Sequence, residues 1–153
     1  MLNQFLWYVY LILVIVAAGP NITYAVWIRR ATANREALPF TLQSIKYIND
    51  RIVQPATALA LITWVVMVYV SGQSLLTPWV LLTSIFWLVA LLIGLLGYSP
   101  AVRKQITLAE RSAGADDDEY KSAAWRGMIL GIVIGVLFLL LLLLMAFQPV
   151  LWG

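Results

Sequence analysis

The stretch GMILGIVIGVLFLLLLLLMAF, residues 127–147, is the most informative part of this chain, because it contains only apolar residues and glycine. A helix needs about 20 predominantly apolar residues to cross the roughly 30 Å hydrocarbon core of a bilayer. Residues 5–28, 52–70 and 78–98 meet the same requirement, and none of the four stretches contains Asp, Glu, Lys, Arg or His. The sequence therefore predicts an all-α membrane protein, a four-transmembrane-helix bundle that forms a single domain over residues 1–153.

The composition of the chain limits the chemistry that is open to it. Of its residues 63% are hydrophobic and 11% are charged, and it has no His and no Cys. These absences exclude a disulfide scaffold, a Cys/His zinc site, a bis-His haem and a Ser-His or Cys nucleophile. Because ionisable residues within spans usually mark proton and ion paths, their absence also argues against a proton-coupled transporter. We therefore expect a non-enzyme with no catalytic residues and no metal.

The basic residues indicate an orientation. All ten Lys and Arg lie in the two long connections, residues 29–51 and 99–126. Because cytoplasmic loops retain Lys and Arg, we expect both connections in the cytoplasm and both termini outside. The same bias explains the net charge of +3 without a nucleic-acid partner. The residues expected to contact anionic lipid or an acidic surface of a partner are Arg29, Arg30, Arg103, Lys104 and Arg126.

The first long connection contains a candidate amphipathic helix. Thr41 is placed to cap its N-terminus, and Pro55 is expected to kink its junction with the second span. The apolar residues at near-helical spacing are Leu42, Ile45, Ile48 and Ile52. This pattern predicts an interfacial segment on the cytoplasmic side, and the alternative is a helix that docks a partner.

Boundary signals also surround the third and fourth spans. The short connection 71–77 makes the second and third spans antiparallel neighbours. Ser99-Pro100 predicts that the third helix breaks at Tyr98 and continues along the membrane surface. Asp116 and Glu119 have the spacing of a capping box at the start of the fourth helix. The alternative for this acidic run is a divalent-cation site.

Three glycines open the fourth span at intervals of four residues. Gly127, Gly131 and Gly135 line one face of the predicted helix and allow another backbone to approach closely. In lipid such small-residue faces favour helix association. The pattern predicts helix packing, and it leaves open whether the packed helix belongs to this chain or to another protein.

The first span contains a proline with polar neighbours. Pro20 cannot donate a hydrogen bond to the Val16 carbonyl, so we expect a kink. Next to Gly19, the side chains of Asn21 and Thr23 can satisfy the freed carbonyl or bond across helices. The alternative is that these residues line a pocket for a small molecule or ion.

Trp and Tyr residues lie near both ends of the predicted spans. This distribution is typical of the aromatic belts at the two membrane interfaces. It predicts Tyr10 in the outer belt and Tyr24 and Tyr98 in the inner one. The alternative is a pigment or quinone pocket lined by Trp64 and Trp87.

Two short motifs resemble those of a known family. The segment Gly19-Pro20-Asn21-Ile22-Thr23 resembles the first span of a bacterial family of predicted four-helix integral membrane proteins of unknown function. Met145-Ala146-Phe147-Gln148-Pro149 is similar to its closing motif, with Gln148 where a basic residue is more usual. The resemblance covers nearly the whole chain in helix layout and loop sizes. It implies a four-helix fold and location in the bacterial inner membrane, and it implies no activity.

These observations predict a non-catalytic accessory subunit of a larger membrane complex. An energy-transducing assembly, respiratory or photosynthetic, is the class of complex expected, with membrane lipids and other integral membrane subunits as partners. The alternative function is a binding protein or permease for a hydrophobic small molecule at the Pro20 kink. We expect no cofactor, and the molecule that such a site would hold is a lipid, a quinone or a pigment.

Overall fold

The computed structural model describes residues 1–34, 36–111 and 118–147. Within these ranges the chain forms four continuous helical segments, Leu2–Thr32, Ala37–Val70, Pro78–Arg111 and Asp118–Phe147. Each segment is long and apolar enough to cross a membrane, and the described residues contain no strand. The predicted four-span, all-α architecture is therefore confirmed.

A π-helical turn divides each of the two middle segments into two α-helices. The α-helices are α1 (Leu2–Thr32), α2 (Ala37–Ile48), α3 (Gln54–Val70), α4 (Pro78–Leu92), α5 (Ser99–Arg111) and α6 (Asp118–Phe147). The π-helical turns are Asn49–Val53, between α2 and α3, and Ile93–Tyr98, between α4 and α5.

The first π-helical turn accommodates Pro55, which lies in the first turn of α3. A proline ring clashes with the carbonyl four residues earlier, here that of Arg51 inside the π-helical turn. The Gln54 N–H donates to the carbonyl of Asn49, five residues back, so the turn is wider than an α-helical one. The helix thus passes Pro55 without ending.

The second π-helical turn has the same relation to Pro100. Here the carbonyl four residues earlier is that of Leu96, and the Ser99 N–H donates to the carbonyl of Gly94. The helix runs on as α5, so the prediction of a break at Tyr98 was wrong. The physical reason is that a widened turn accommodates the proline ring with a smaller loss of free energy than a break in the backbone hydrogen bonds of the helix.

The start of α2 also differs from the prediction. The helix begins at Ala37, so Thr41 lies inside it and does not cap it. Pro39 is its third residue, where a proline loses no intrahelical hydrogen bond because the first four N–H groups have no partner there. Most of the predicted loop 29–51 is therefore helical.

The predicted apolar stripe faces the protein at Leu42 and Ile45, whereas Ile52 lies exposed in the first π-helical turn. Leu38 and Leu42 are fully buried, and they pack in one cluster with Ala31 of α1 and Tyr120 of α6. α2 also contacts α5. The stripe thus closes one end of the bundle, and a position of α2 at a membrane interface stays a prediction.

The helices form an up-and-down bundle. α1 packs on α3, α3 on α4, and α4 on α6, while α5 contacts α2 and α6. Gly72, at φ 67°, turns the chain after α3, and α4 begins at Pro78 as an antiparallel neighbour. We call the end where α1 and α5 finish and α2 and α6 begin the basic end. Its basic residues include Arg29, Arg30, Lys46, Arg103, Lys104 and Arg126.

The core of the bundle is aromatic. The Trp87 indole N–H donates to the Tyr10 hydroxyl at 2.8 Å, and the Trp64 N–H donates to the Ser84 hydroxyl at 3.1 Å. The ring of Tyr10 lies against both indoles, and that of Trp87 also contacts Phe138. Tyr10 is fully buried, so its assignment to an outer aromatic belt was wrong. Trp64 and Trp87 are likewise buried, packed against other rings of the core.

A second pair of rings lies nearer the basic end. Tyr24 and Tyr98 are buried and stack with their ring centroids 6.4 Å apart. Both were expected in the inner aromatic belt, and burial against each other rules this out. Trp27 and Trp125, at the ends of the first and fourth predicted spans on the same side, are exposed.

The fourth helix begins at Asp118 in the described part of the chain. The predicted capping box rests on Asp116, which lies outside the described residues. Glu119 lies in the first turn of α6, where a negative charge is favourable. Lys121 lies 4.0 Å from the Asp118 carboxylate, an exposed pair of little energetic weight.

Candidate functional site

A groove between α1 and α6 brings together two features that lie far apart in the sequence. Asn21, from the proline-containing part of α1, lines it together with Gly131 and Gly135 of α6. The groove encloses a volume of about 200 Å³. Its remaining walls are apolar and consist of Ala18, Ile22, Phe138, Leu139 and Leu142.

The three glycines of α6 have different surroundings. Gly127 is buried, and a Cβ added there would collide with the side-chain amide of Gln105 on α5. A Cβ at Gly131 would lie 3.7 Å from the ring of Tyr98, whereas one at Gly135 would meet nothing within 4 Å. Gly127 thus packs inside the chain, Gly131 lies against Tyr98 and also lines the groove, and Gly135 opens into the groove.

The polar residues beside Pro20 hydrogen-bond within their own helix. The Asn21 side-chain amide donates to the Ala17 carbonyl at 3.0 Å, and the Thr23 hydroxyl donates to the Pro20 carbonyl at 2.8 Å. Neither bonds to the Val16 carbonyl or to another described helix, so that part of the prediction was wrong. Gly19 has open space where a side chain would be. Within the described part of the chain, no residue donates a hydrogen bond to the Asn21 Oδ1.

The basic residues singled out in the sequence are all exposed at the basic end. Arg29 and Arg30 lie in the last turn of α1. Lys104 of α5 and Arg126 of α6 line one cavity of about 570 Å³, whereas their neighbour Arg103 does not line it. The sequence grouped these residues by charge alone, and the structure separates them by position.

A polar cluster near the basic end was missed in the sequence. Asp50 lies in the first π-helical turn and accepts hydrogen bonds from the Asn49 amide at 3.1 Å and the Ser99 hydroxyl at 2.9 Å. Its carboxylate also pairs with the Lys46 ammonium. The bond to Ser99 joins the first π-helical turn to the first residue of α5, which directly follows the second π-helical turn. Lys46 and Asp50 have a recognisable i,i+4 spacing, but no local signal points to Ser99, 49 residues further along the chain.

Several buried polar atoms in the same half of the bundle have no hydrogen-bond partner in the described part of the chain. They are the hydroxyl oxygens of Tyr24 and Tyr120 and the side-chain oxygens of Gln54 and Gln105. Gln105 does donate from its amide to the Ala123 carbonyl at 3.0 Å. Within the described residues, no three acidic side chains lie close enough together to hold a metal ion.

Comparison with known proteins places the chain in a family without assigning an activity. No curated protein and no solved structure matches it. Residues 5–149, nearly the whole chain and all four spans, match the family described as "Predicted integral membrane protein (DUF2269)". The four apolar helices and this match agree, and the chain belongs to that family of multi-pass integral membrane proteins.

Proposed function

We propose that this chain is a non-catalytic accessory subunit of a larger membrane complex, and that a transmembrane helix of another subunit packs into the α1–α6 groove. The observation that carries the proposal is the groove itself. Gly131 and Gly135 leave its floor free of side chains, beside the amide of Asn21.

A helix is the occupant that this groove suits. Apolar side chains gain little by moving from lipid to protein, so helix association in a membrane relies on close packing and interhelical hydrogen bonds. Gly135 permits close backbone approach, because nothing lies within 4 Å of the position of its absent Cβ. The free Oδ1 of Asn21 can accept a hydrogen bond from a Ser, Thr or Asn of the arriving helix, a contact worth roughly 0.6–2 kcal/mol.

The surroundings of the groove support the same conclusion. The buried fraction of the most apolar part differs among the four described spans. It is smallest in α1. Ile22 and Leu139, on the two sides of the groove, are 78% and 58% exposed. A second helix would cover both walls at once, whereas single lipid chains would leave the groove imperfectly packed.

The size of the groove bears on the alternative function. Pockets for drug-sized ligands typically enclose about 300–1,000 Å³. The groove, at about 200 Å³, lies below that range, so it would not enclose a whole pigment or long-chain quinone, whereas it can receive the side chains of a helix.

We also propose that the complex lies in the bacterial inner membrane with the basic end in the cytoplasm and both chain termini outside. The distribution of the ten Lys and Arg supports this orientation. An energy-transducing assembly remains the class of complex that we propose, with this chain as a non-catalytic part of it, because it has no His or Cys to bind a redox centre and no ionisable residue in its spans.

The experiment is extraction of the full chain in a mild detergent, followed by size separation and mass spectrometry of everything that co-migrates. We expect migration in one large complex with partners of fixed stoichiometry. Gly135→Leu should release those partners while the chain stays folded, because the added side chain fills only the open groove.

A matched control is Val133→Leu, which adds bulk to an exposed position of α6 outside the groove and should leave the complex intact. Migration of the wild-type chain alone would overturn the proposal, as would equal behaviour of the two variants. If instead a small organic molecule co-purifies with the isolated chain and is lost in Asn21→Ala, the binding-protein alternative is correct.

A further inference from the structure

We infer that the cavity between α5 and α6 at the basic end binds the headgroup of an anionic phospholipid. This cavity encloses about 570 Å³ and is separate from the α1–α6 groove. Its lining includes Pro100 and Lys104 from α5, and Ser122, Arg126 and Leu130 from α6. The inference does not depend on the accessory-subunit proposal, because it concerns a different surface.

Two cations from different helices converge on this cavity. Lys104 and Arg126 are both exposed, and neither forms an ion pair with a carboxylate in the part of the chain that the structure describes. A guanidinium presents a fork of N–H donors that matches two phosphate oxygens, and an ammonium adds a compact positive charge. The Ser122 hydroxyl offers a further donor on the same wall.

The lining changes from charged to apolar along the helices. From Lys104 one wall passes through Pro100 of α5 to Leu96 in the second π-helical turn, and from Arg126 the α6 wall passes to Leu130. Eight residues of helix cover about 12 Å, the depth of a phosphate and glycerol region and the start of the acyl chains. Free phosphate or a nucleotide would use only the charged end, whereas a phospholipid uses the whole gradient.

The position of the cavity fits the same ligand. Basic pockets between transmembrane helices at the level of the headgroups are typical sites for anionic lipids. The cavity lies where the third helical segment changes from a π-helical turn to α5, and Gly97 and Pro100 from this junction contribute little bulk to its wall. The widened helix therefore helps to leave room for the headgroup.

The test is native mass spectrometry of the full-length chain in a mild detergent, titrated with phosphatidylglycerol or with phosphatidylcholine of the same acyl chains. We expect saturable binding of phosphatidylglycerol and much weaker binding of phosphatidylcholine. Lys104→Gln and Arg126→Gln should each weaken phosphatidylglycerol binding about fivefold, and the double variant roughly 25-fold.

Arg103→Gln is the matched control, because it removes a neighbouring charge from α5 that does not line the cavity. Its affinity should stay within about twofold of wild type. Ser122→Phe keeps both cations but fills the cavity, so it should also lose the lipid.

Three outcomes would overturn the inference. Equal losses for Arg103→Gln and Lys104→Gln would show general attraction of the lipid to the basic end. Full competition by millimolar inorganic phosphate would show a simple anion site. Unchanged lipid binding in Ser122→Phe would show that the cavity is not where the lipid lies.

Discussion

Tyr10 shows how a single hydroxyl can organise the core of a membrane-spanning bundle. It is fully buried and accepts the indole N–H of Trp87, while its ring contacts Trp64. No water is available in the bilayer core to replace a lost partner. The pair therefore fixes the relative positions of α1 and α4 by a directional bond, which apolar packing alone does not supply.

Tyr10→Phe should destabilise the chain by about 1 kcal/mol, because it leaves the Trp87 N–H without a partner and keeps the ring. The free energy of unfolding, measured by SDS titration in mixed micelles, checks this. Tyr8→Phe removes the same hydroxyl from an exposed ring nearby and should have no effect. Equal effects of the two substitutions would show that the buried hydrogen bond contributes nothing.

At the scale of elements, the paired π-helical turns are the least predictable feature of the fold. Pro55 and Pro100 were recognised in the sequence as sites where regular helix geometry fails. The sequence alone did not show whether each proline would end, kink or widen its helix, since that depends on the packing of both flanking helices. The hydrogen bond from Ser99 to Asp50 joins the first turn to the start of α5, directly after the second turn.

This bond should couple the two middle helical segments. Ser99→Ala and Asp50→Ala should each destabilise the chain, and their effects should not add, with a coupling energy of about 1 kcal/mol. The measurement is a double-mutant cycle on the free energy of unfolding. Ser122→Ala, an exposed serine in α6, is the control and should be neutral. Strictly additive effects of the first two substitutions would contradict the coupling.

The candidate site was predictable in its parts but not as a whole. The sequence identified Asn21 by its position after Pro20, and Gly131 and Gly135 by their spacing. Their meeting in one groove depends on the neighbour relation of α1 and α6, which helical periodicity does not determine. The same holds for Lys104 and Arg126, because charge counting gave them the same weight as Arg103.

At the scale of the whole molecule, the four spans followed from hydropathy because lipid imposes one requirement on every crossing segment, that backbone polar groups bond internally. Hydropathy did not predict where the helices begin and end. The helices extend beyond the apolar stretches, as at Asp118, where α6 begins nine residues before Gly127. Outside the apolar stretches helix formation is decided by packing, here of Leu38, Leu42 and Tyr120 at the basic end.

The orientation of the whole molecule gives the last prediction. The chain has no native Cys, so a single introduced Cys reports its own accessibility without background. Gln73→Cys lies in the exposed turn after α3, and Thr107→Cys lies exposed on α5 at the basic end. Because Lys and Arg resist translocation, a membrane-impermeant maleimide should label Gln73→Cys in intact cells and Thr107→Cys only after lysis. The reverse pattern would place the basic end outside, against the strongest charge bias in the sequence. It would also separate the lipid site between Lys104 and Arg126 from the cytoplasmic leaflet.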